Sequence, residues 1–432
     1  MSPVNAPPHE HGRHPGTVAE VFWAFLKLGL TAFGGPVAHL GYFREAFVER
    51  RKWLDDAAYA DLMALCQFLP GPASSQVGMA LGLQRAGLAG LVAAWTAFTL
   101  PSALLLVAFA WGVTALGDVS EAGWIHGLKA AAVAVVAHAV LGMAKTLTPD
   151  AKRATIAVLS LVVVLLVPGA LAQVAAMVAA GFAGFFWLRT PIMSEEPASA
   201  QSLAPAPAPV PASTFAVRVP RALAVACLGA YAAILAAVLT VLPLLAHATG
   251  NLALTLFTVF ARAGSLVFGG GHVVLPLLEA DTVQTGLVSE SAFLAGYGAA
   301  QAVPGPLFTF AAYLGGIAGS PGNEPTAPGI NLVGAAIALL AIFLPAALLV
   351  VGTLPFWSQL RRAPRAQRVL AGVNAGVVGL LAAALYTPVF TSGITSPLSL
   401  ALAAVAFVAL HRWRTPAWAV VIAAGIAGWL LL

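Results

Sequence analysis

Two basic residues lie within apolar segments, at matching places in the two halves of the chain. Lys27 stands six residues before a Phe-Gly-Gly sequence at 33–35, and Arg262 stands six residues before a second copy at 268–270. A charge at membrane depth is costly and marks a functional site by default. If the two segments meet at the membrane centre, these residues supply one positive charge from each half to an anion site. The alternative for Lys27 is that it extends to the headgroups.

Glycine and proline interrupt the apolar segments beside these cations and again further along each half. Proline lacks an N–H donor and glycine adopts angles closed to other residues, so such breaks free backbone groups. Lipid cannot satisfy those groups, and the N–H groups at helix N-termini suit an anion. The alternative is that each break only allows close helix packing. The break residues that we predict to bind substrate are Gly34, Gly35, Pro70, Gly71, Gly269, Gly270, Pro304 and Gly305.

Polar side chains near the breaks are predicted to line the same site, although hydroxyl groups also bond back to their own helix. They are Thr31, Gln67, Ser74, Ser75, Ser265, Gln301 and Thr309, with His39 and His272 just past the Gly-Gly pairs. The two histidines do not align between the halves, and either is a candidate donor or proton carrier. If transport is proton-coupled, the candidate carriers are His39, Glu45, His272, Glu279 and Asp281.

The composition requires a membrane to surround the elements that carry these residues. Of 432 residues, 60% are hydrophobic and 9% are charged, against about 25% charged in soluble domains. Apolar blocks long enough to cross about 30 Å of hydrocarbon are predicted at 88–117, 124–145, 221–246, 332–356 and 369–386. The net charge of +5 comes from short clusters between these blocks, which indicates membrane topology rather than nucleic-acid binding.

The chain is a tandem duplication, because three markers recur in the same order. They are the two Phe-Gly-Gly sequences, then Gln-x-x-Pro-Gly-Pro at 67–72 and 301–306, then Leu-Pro-x-Ala-Leu-Leu at 100–105 and 344–349. We therefore predict a polar, disordered tail at 1–16, a first repeat at 17–189 and a second at 247–432. Between them we predict a Pro/Ala-rich, solvent-exposed linker at 190–220 and a connecting transmembrane helix at 221–246.

The charges between the apolar blocks predict that the two repeats are inverted in the membrane. The basic residues at 44–52 of the first repeat correspond to acidic residues at 279–290 of the second repeat. The acidic residues at 118 and 121 of the first repeat correspond to a basic run at 361–368 of the second. The bias switches sides in both comparisons, as inverted repeats require. With basic loops inside, the N-terminus and linker are cytoplasmic and the C-terminus is outside.

The segments that meet each break are too short to span the membrane alone. Each has about 12 to 16 residues, or roughly 18 to 24 Å of helix. We expect paired segments to form re-entrant hairpins that meet at their Gly/Pro breaks. The predicted fold is thus all-α, a polytopic membrane protein of tandem inverted-topology repeats with broken helical hairpins.

The Phe-Gly-Gly-Pro sequence at 33–36, the Pro-Gly-Pro sequences and their second copies resemble the signature of the chromate ion transporter family, in its long two-domain form. The likeness covers nearly the whole chain, although Gly271 stands where the first copy has Pro36. It implies a cytoplasmic-membrane protein that exports chromate and confers chromate resistance, with sulfate as a competing anion.

We expect alternating access around an anion site between the repeats, with a sulfate or other oxyanion carrier as the alternative. An intramembrane enzyme is disfavoured because the sequence has no HExxH, GxSxG or paired intramembrane carboxylates. ATP-driven pumping by this chain alone is disfavoured because no P-loop sequence is present. No catalytic residue, metal or cofactor is predicted, and Cys66 and Cys227 lack CxxC spacing. The predicted partners are chromate, sulfate as a competing anion, and the lipid bilayer. The sequence leaves the oligomeric state open, with a homodimer as one option.

Overall fold

The computed structural model describes residues 15–115, 122–167, 169–189, 215, 217, 219–268, 271–319, 330–360 and 363–432. These residues form helices and connecting turns, and they include no β-strand. The α-helices are α1 (Val18–Thr31), α2 (Gly35–Phe43), α3 (Asp56–Phe68), α4 (Ala73–Ala115), α5 (Gly123–Leu147), α6 (Ala151–Leu166), α7 (Ala170–Trp187), α8 (Arg221–Leu239), α9 (Val241–Thr249), α10 (Leu252–Leu266), α11 (Val274–Thr282), α12 (Glu290–Ala302), α13 (Phe310–Ile317), α14 (Leu332–Thr353), α15 (Trp357–Leu360), α16 (Pro364–Ala384), α17 (Thr391–Gly393), α18 (Pro397–His411) and α19 (Ala417–Leu431). Two π-helical turns lie at Arg44–Arg50 and Leu385–Phe390, and 3₁₀ turns lie at Gly271–Val273, Leu307–Thr309 and Leu354–Phe356.

The described residues contain 5 helices that are long and apolar enough to cross a membrane. They are Ala73–Val113, Gly123–Leu147, Arg221–Leu239, Leu332–Leu360 and Pro364–Gly393. Large apolar side chains also cover the outside of the molecule, and Phe186 and Leu166 are 77% and 75% exposed. Water disfavours such a surface, whereas lipid accepts it. The protein is therefore an all-α, polytopic membrane protein, which confirms that part of the prediction.

Short helices surround the four breaks in the chain. Helices α1, α3, α10 and α12 have 14, 13, 15 and 13 residues, or roughly 20 to 23 Å each. Helix α4 bends at Ala86 and Gly87, whose backbone angles are not helical. Its first part is thus another short arm, and its second part is the long predicted span. The re-entrant course of these arms and their inversion stay predictions.

The helices of the two halves exchange partners across the molecule. Within the halves, α1 packs on α4 and α10 packs on α14. Across the halves, α5 packs on α18 and α19, while α16 packs on α6 and α7. Glycines allow equally close approach in both places: a Cβ on Gly428 would lie 2.6 Å from the Cα of Gly127, and one on Gly184 would lie 2.7 Å from the Cα of Gly372. Each half therefore completes the helix packing of the other.

Two predictions about the connection between the halves differ from the structure. The segment 221–246 is not one helix, because α8 ends at Leu239 and α9 begins at Val241. Pro243 explains the break, since its ring would clash with the carbonyl group of residue 239 in a continuous helix. The predicted linker is also not exposed at its end: Phe215 is buried, and its N–H donates to the Asp61 carboxylate at 3.3 Å. Residues 190–214 and the tail at 1–14 lie outside the described residues.

Candidate functional site

Two backbone hydrogen bonds join the breaks of one half to those of the other. The Gly71 N–H donates to the Val267 carbonyl at 2.7 Å, and the Gly305 N–H donates to the Ala32 carbonyl at 2.9 Å. Val267 and Ala32 each immediately precede a Phe-Gly-Gly sequence. Each Pro-Gly-Pro break thus binds the Phe-Gly-Gly break of the opposite half, so backbone groups freed by the breaks meet inside the protein.

The glycine of each Pro-Gly-Pro sequence fits against the Leu-Pro-x-Ala-Leu-Leu helix of the other half. A Cβ on Gly305 would lie 2.7 Å from the Ser102 Oγ on α4, and one on Gly71 would lie 3.1 Å from the Ala346 Cβ on α14. Both glycines also have positive φ angles, 118° for Gly71 and 98° for Gly305. Only glycine adopts that backbone without strain, and only glycine leaves room for the neighbouring helix.

His39 connects three of these elements at the centre of the first half. Its ring is fully buried; Nε2 lies 3.1 Å from the Ala32 carbonyl oxygen and Nδ1 lies 3.4 Å from the Ser74 Oγ. A carbonyl only accepts hydrogen bonds, so Nε2 carries the proton and, in the neutral ring, Nδ1 accepts from the serine hydroxyl. The Ala32 carbonyl therefore receives both Gly305 and His39, and the ring fixes the start of α4 beside the break.

The second histidine has different partners, as its lack of alignment suggests. The Nδ1 of His272 lies 2.8 Å from the hydroxyl group of the buried Tyr297.

Several side-chain hydroxyl groups that were predicted to bind substrate instead donate hydrogen bonds to nearby backbone carbonyl groups. Thr31 donates to the Lys27 carbonyl, Ser265 to Ala261 and Thr309 to Pro306, each at 2.7 Å. For these three hydroxyl groups, the observed contacts agree with the alternative that hydroxyls bond back to their own local backbone.

Three buried polar atoms at the breaks have no hydrogen-bond partner among the described residues. They are the Ser75 Oγ and the Gln76 Oε1, in the first turn of α4, and the Gln301 Nε2, at the end of α12. The Gln76 Nε2 donates to the Pro70 carbonyl at 2.7 Å, which holds this side chain against the break. A buried polar group without a partner costs about 1–3 kcal/mol. The Ser75 and Gln301 groups are therefore available donors for an oxyanion.

The two aligned cations occupy different surroundings. Lys27 is exposed and makes no ion pair in the described part of the chain. Arg262 is half-buried, and its guanidinium group binds both oxygens of the buried Asp281, with the Nε to Oδ2 distance at 2.9 Å. Nearby, the buried Glu279 accepts from the Gln284 amide at 3.2 Å. The charge of Arg262 is thus already balanced, which sequence alignment of the repeats alone does not show.

A buried cation within a candidate membrane span, Lys129 on α5, was not among the residues predicted from the sequence. It is 4% exposed, and its Nζ donates to the Ser291 Oγ at 2.9 Å. The adjacent Glu290 accepts a hydrogen bond from Ser392. Its position inside the predicted span 124–145 was the available signal, since a lysine there is as unusual as Lys27.

The predicted site residues differ in burial. Those that are buried are His39, Pro70, Gly71, Ser74, Ser75, Ser265, Gln301, Pro304, Gly305 and Thr309. Those on the exposed face are Lys27, Thr31, Gly34 and Gln67, whereas Gly35, Arg262 and His272 are partly buried. Gly269 and Gly270 lie outside the described residues. No group of His, Cys, Asp and Glu that could hold a metal ion occurs among the described residues.

Long apolar helices and an outer surface of large apolar side chains define a multi-pass membrane protein. The family model of the chromate transporter matches residues 19–185 and 254–429. The chain therefore belongs to the chromate transporter family, which confirms the resemblance seen in its motifs.

Curated relatives agree with this assignment. A chromate transport protein of Pseudomonas aeruginosa is 30% identical over 430 residues, which cover 96% of this chain and 93% of that protein. A chromate transport protein of Cupriavidus metallidurans is 27% identical, over 85% of this chain and 82% of its own length. An uncharacterized transporter of Methanocaldococcus jannaschii is 24% identical, over 89% and 87%. No solved structure matches the chain.

Proposed function

We propose that this protein exports chromate from the cytoplasm through an anion site where the four breaks meet, and so confers chromate resistance. The observation that carries the proposal is the pair of hydrogen bonds from Gly71 to Val267 and from Gly305 to Ala32. They bring the broken helix ends of both halves to one place, beside the unpartnered donors of Ser75 and Gln301. The Pseudomonas and Cupriavidus relatives, both named as chromate transport proteins, suggest the substrate.

The mechanism is alternating access, in which one half moves against the other around the breaks. The backbone hydrogen bonds between halves give each break two arrangements, paired with the opposite half or open to the anion. In the open arrangement, the N–H groups of Gly71 and Gly305 join the Ser75 hydroxyl and the Gln301 amide as ligands. Arg262 contributes its charge once Asp281 gives up part of the bidentate pair.

The orientation follows from the charged loops. The N-terminus and linker lie in the cytoplasm, the C-terminus lies outside, and the protein resides in the bacterial inner membrane. Moving one charge across 100 mV is worth about 2.3 kcal/mol, so a dianion gains roughly twice that on leaving a negative interior. The membrane potential alone is therefore sufficient to drive export, with proton coupling through His39, Glu45, His272, Glu279 or Asp281 as the alternative. Sulfate, a second tetrahedral dianion, is the alternative substrate of the same site.

Uptake of labelled chromate into inside-out vesicles tests the proposal, with sulfate as competitor. The variants are Lys27→Ala, Arg262→Ala and Gln301→Leu, compared at equal amounts in the membrane. Lys152→Ala is the matched control, because this exposed cation lies at a helix end, where its Nζ donates to the Trp187 carbonyl at 3.3 Å. We expect chromate uptake that sulfate inhibits, that Arg262→Ala and Gln301→Leu abolish, and that Lys152→Ala leaves unchanged.

Each variant decides a different part of the proposal. Absence of chromate uptake by the wild type under any imposed potential would refute chromate transport. Uptake that survives both Arg262→Ala and Gln301→Leu would place the anion path away from the breaks. Lys27→Ala decides whether the exposed lysine belongs to the path: normal uptake in that variant assigns it to the membrane surface. An imposed pH gradient that changes the rate would overturn uncoupled export.

A further inference from the structure

A cavity of about 270 Å³ lies between α5, α6 and α16, away from the breaks. Its polar lining comes from Thr146, Arg153, Gln367 and Asn374, and the remaining lining is aliphatic. The volume is just below the range of about 300–1,000 Å³ found for pockets that bind small organic molecules. A headgroup-sized ligand fits this space, and nothing in the transport mechanism uses it.

Two polar atoms that line this cavity lack hydrogen-bond partners in the described part of the chain. They are the Nε of Arg153 and the Oδ1 of Asn374, and both atoms are buried. Among the described residues one acid pairs with Arg153: the Asp150 Oδ2 lies 3.4 Å from that same Nε, beyond good hydrogen-bond geometry, and the Asp150 side chain is 50% exposed. An ion pair with a solvent-exposed carboxylate is weak. The Arg153 guanidinium group therefore keeps most of its charge available to a ligand in the cavity.

The surrounding helix ends are basic. The end of α5 carries Lys145, the start of α6 carries Lys152, and the start of α16 carries Arg365, all of them exposed. Against these, Asp150 is the acid at the N-cap of α6. This is also the end of the bundle that the charge rule assigns to the cytoplasm, where anionic lipids and soluble oxyanions are both present.

The corresponding place in the second half is closed by its own hydrogen bonds. Gly127 packs against α19 as Gly372 packs against α7, so Lys129, two residues after Gly127, is the counterpart of Asn374, two residues after Gly372. Lys129 donates to Ser291. At the start of α18, the third residue after the N-cap is Ser399, whose hydroxyl completes a capping box with Ser396. The first half has Arg153 at that place. The open, charged cavity is thus particular to one side of the molecule.

We propose that this cavity binds a phosphate-class monoanion that also carries a hydroxyl group. The anionic oxygens accept from the Arg153 guanidinium group, and the hydroxyl donates to the Asn374 Oδ1. A phosphatidylglycerol-type lipid headgroup and soluble dihydrogen phosphate both have this chemistry. Because Arg153 belongs to α6 and Asn374 to α16, the ligand joins helices of opposite halves.

Binding to the intact purified protein tests the proposal. Native mass spectrometry and thermal unfolding are measured with phosphatidylglycerol, with phosphatidylcholine and with inorganic phosphate. The variants are Arg153→Gln and Asn374→Leu, and Arg365→Gln is the matched control that removes a nearby exposed cation. We expect phosphatidylglycerol to bind and to raise the unfolding temperature, with an affinity about ten-fold lower in Arg153→Gln and unchanged in Arg365→Gln.

The three ligands distinguish the sources. Binding of phosphatidylglycerol that inorganic phosphate fails to displace identifies a lipid headgroup as the ligand, whereas displacement by millimolar phosphate identifies a soluble anion. Equal affinities for phosphatidylglycerol and phosphatidylcholine, with no phosphate binding, would overturn the proposal. So would equal losses in Arg153→Gln and Arg365→Gln, because they would show general surface attraction. Asn374→Leu keeps the charge and is expected to lower the affinity without changing its salt dependence.

Discussion

The pair of Arg262 and Asp281 offers a way to separate structural from functional roles at the proposed site. The two side chains are 15% and 4% exposed and share a bidentate contact. Removing one partner of such a buried pair leaves a charge unbalanced and costs about 3–5 kcal/mol. We expect that loss for both Arg262→Ala and Asp281→Ala. The double variant leaves no isolated charge, so its loss should be well below the sum of the single losses.

Reversible unfolding in mixed micelles measures these free energies as a double-mutant cycle. A coupling energy of 2 kcal/mol or more, by order of magnitude, is expected for contacting charges. The exposed pair of Arg50 and Glu45, 68% and 47% exposed, serves as the control and should show a coupling of about 0.2–1 kcal/mol. Additive losses for Arg262 and Asp281 would refute the assignment of a structural ion pair.

Transport by the double variant then separates the two roles. If Arg262 contributes charge to the anion site, the double variant regains stability but not chromate uptake. Full uptake by a stable double variant would make the pair purely structural and would remove Arg262 from the mechanism.

Two further predictions concern close helix contacts. Gly305→Ala should lower the free energy of unfolding by about 2–4 kcal/mol, because of left-handed backbone strain and overpacking against Ser102. Adding Ser102→Gly to this variant should recover part of the lost stability. A Gly305→Ala variant as stable as the wild type would contradict the contact. Gly379→Ala should lower the unfolding temperature, because the new Cβ would lie 2.0 Å from the Ala157 carbonyl oxygen. Gly142→Ala is the control and should leave the unfolding temperature unchanged, because no atom lies within 4 Å of that Cβ. Equal unfolding temperatures for the two variants would argue against the packing of α16 on α6.

The elements of the fold were predictable because they depend on local sequence. The length of apolar blocks gives the long helices, and glycine and proline mark the breaks. The bend in α4 at Ala86 and Gly87 lies just before the predicted start of the span at residue 88. The interruption at Thr240 was harder, because apolar residues continue on both sides. At Thr240, Pro243 was a local signal of the helix break, which hydropathy alone does not detect.

The site was only partly predictable because its contacts join distant parts of the chain. The sequence indicates which breaks exist, but the pairing of Gly71 with Val267 depends on how the halves dock. Likewise, the equivalent positions of Lys27 and Arg262 in the repeats predict two similar cationic sites. In the described part of the chain, however, Arg262 pairs with Asp281, 19 residues further along, and Lys27 makes no such ion pair. Ala46 stands in the first half where the second has Asp281 when the two Phe-Gly-Gly copies are superposed.

The exchange of helices between the halves also has a consequence for biosynthesis. Helix α5 is translated early, yet its packing partners α18 and α19 are the last helices of the chain. Between Leu147 and Pro397 lie about 250 residues, so at roughly 5–20 residues per second the ribosome needs on the order of 10–50 s before those partners emerge. During this time α5, with the buried Lys129, waits in the membrane without its final neighbours. The packing around α5 is therefore completed only after α18 and α19 have been translated, and truncations that remove these two helices should leave the first half exposed to membrane quality control.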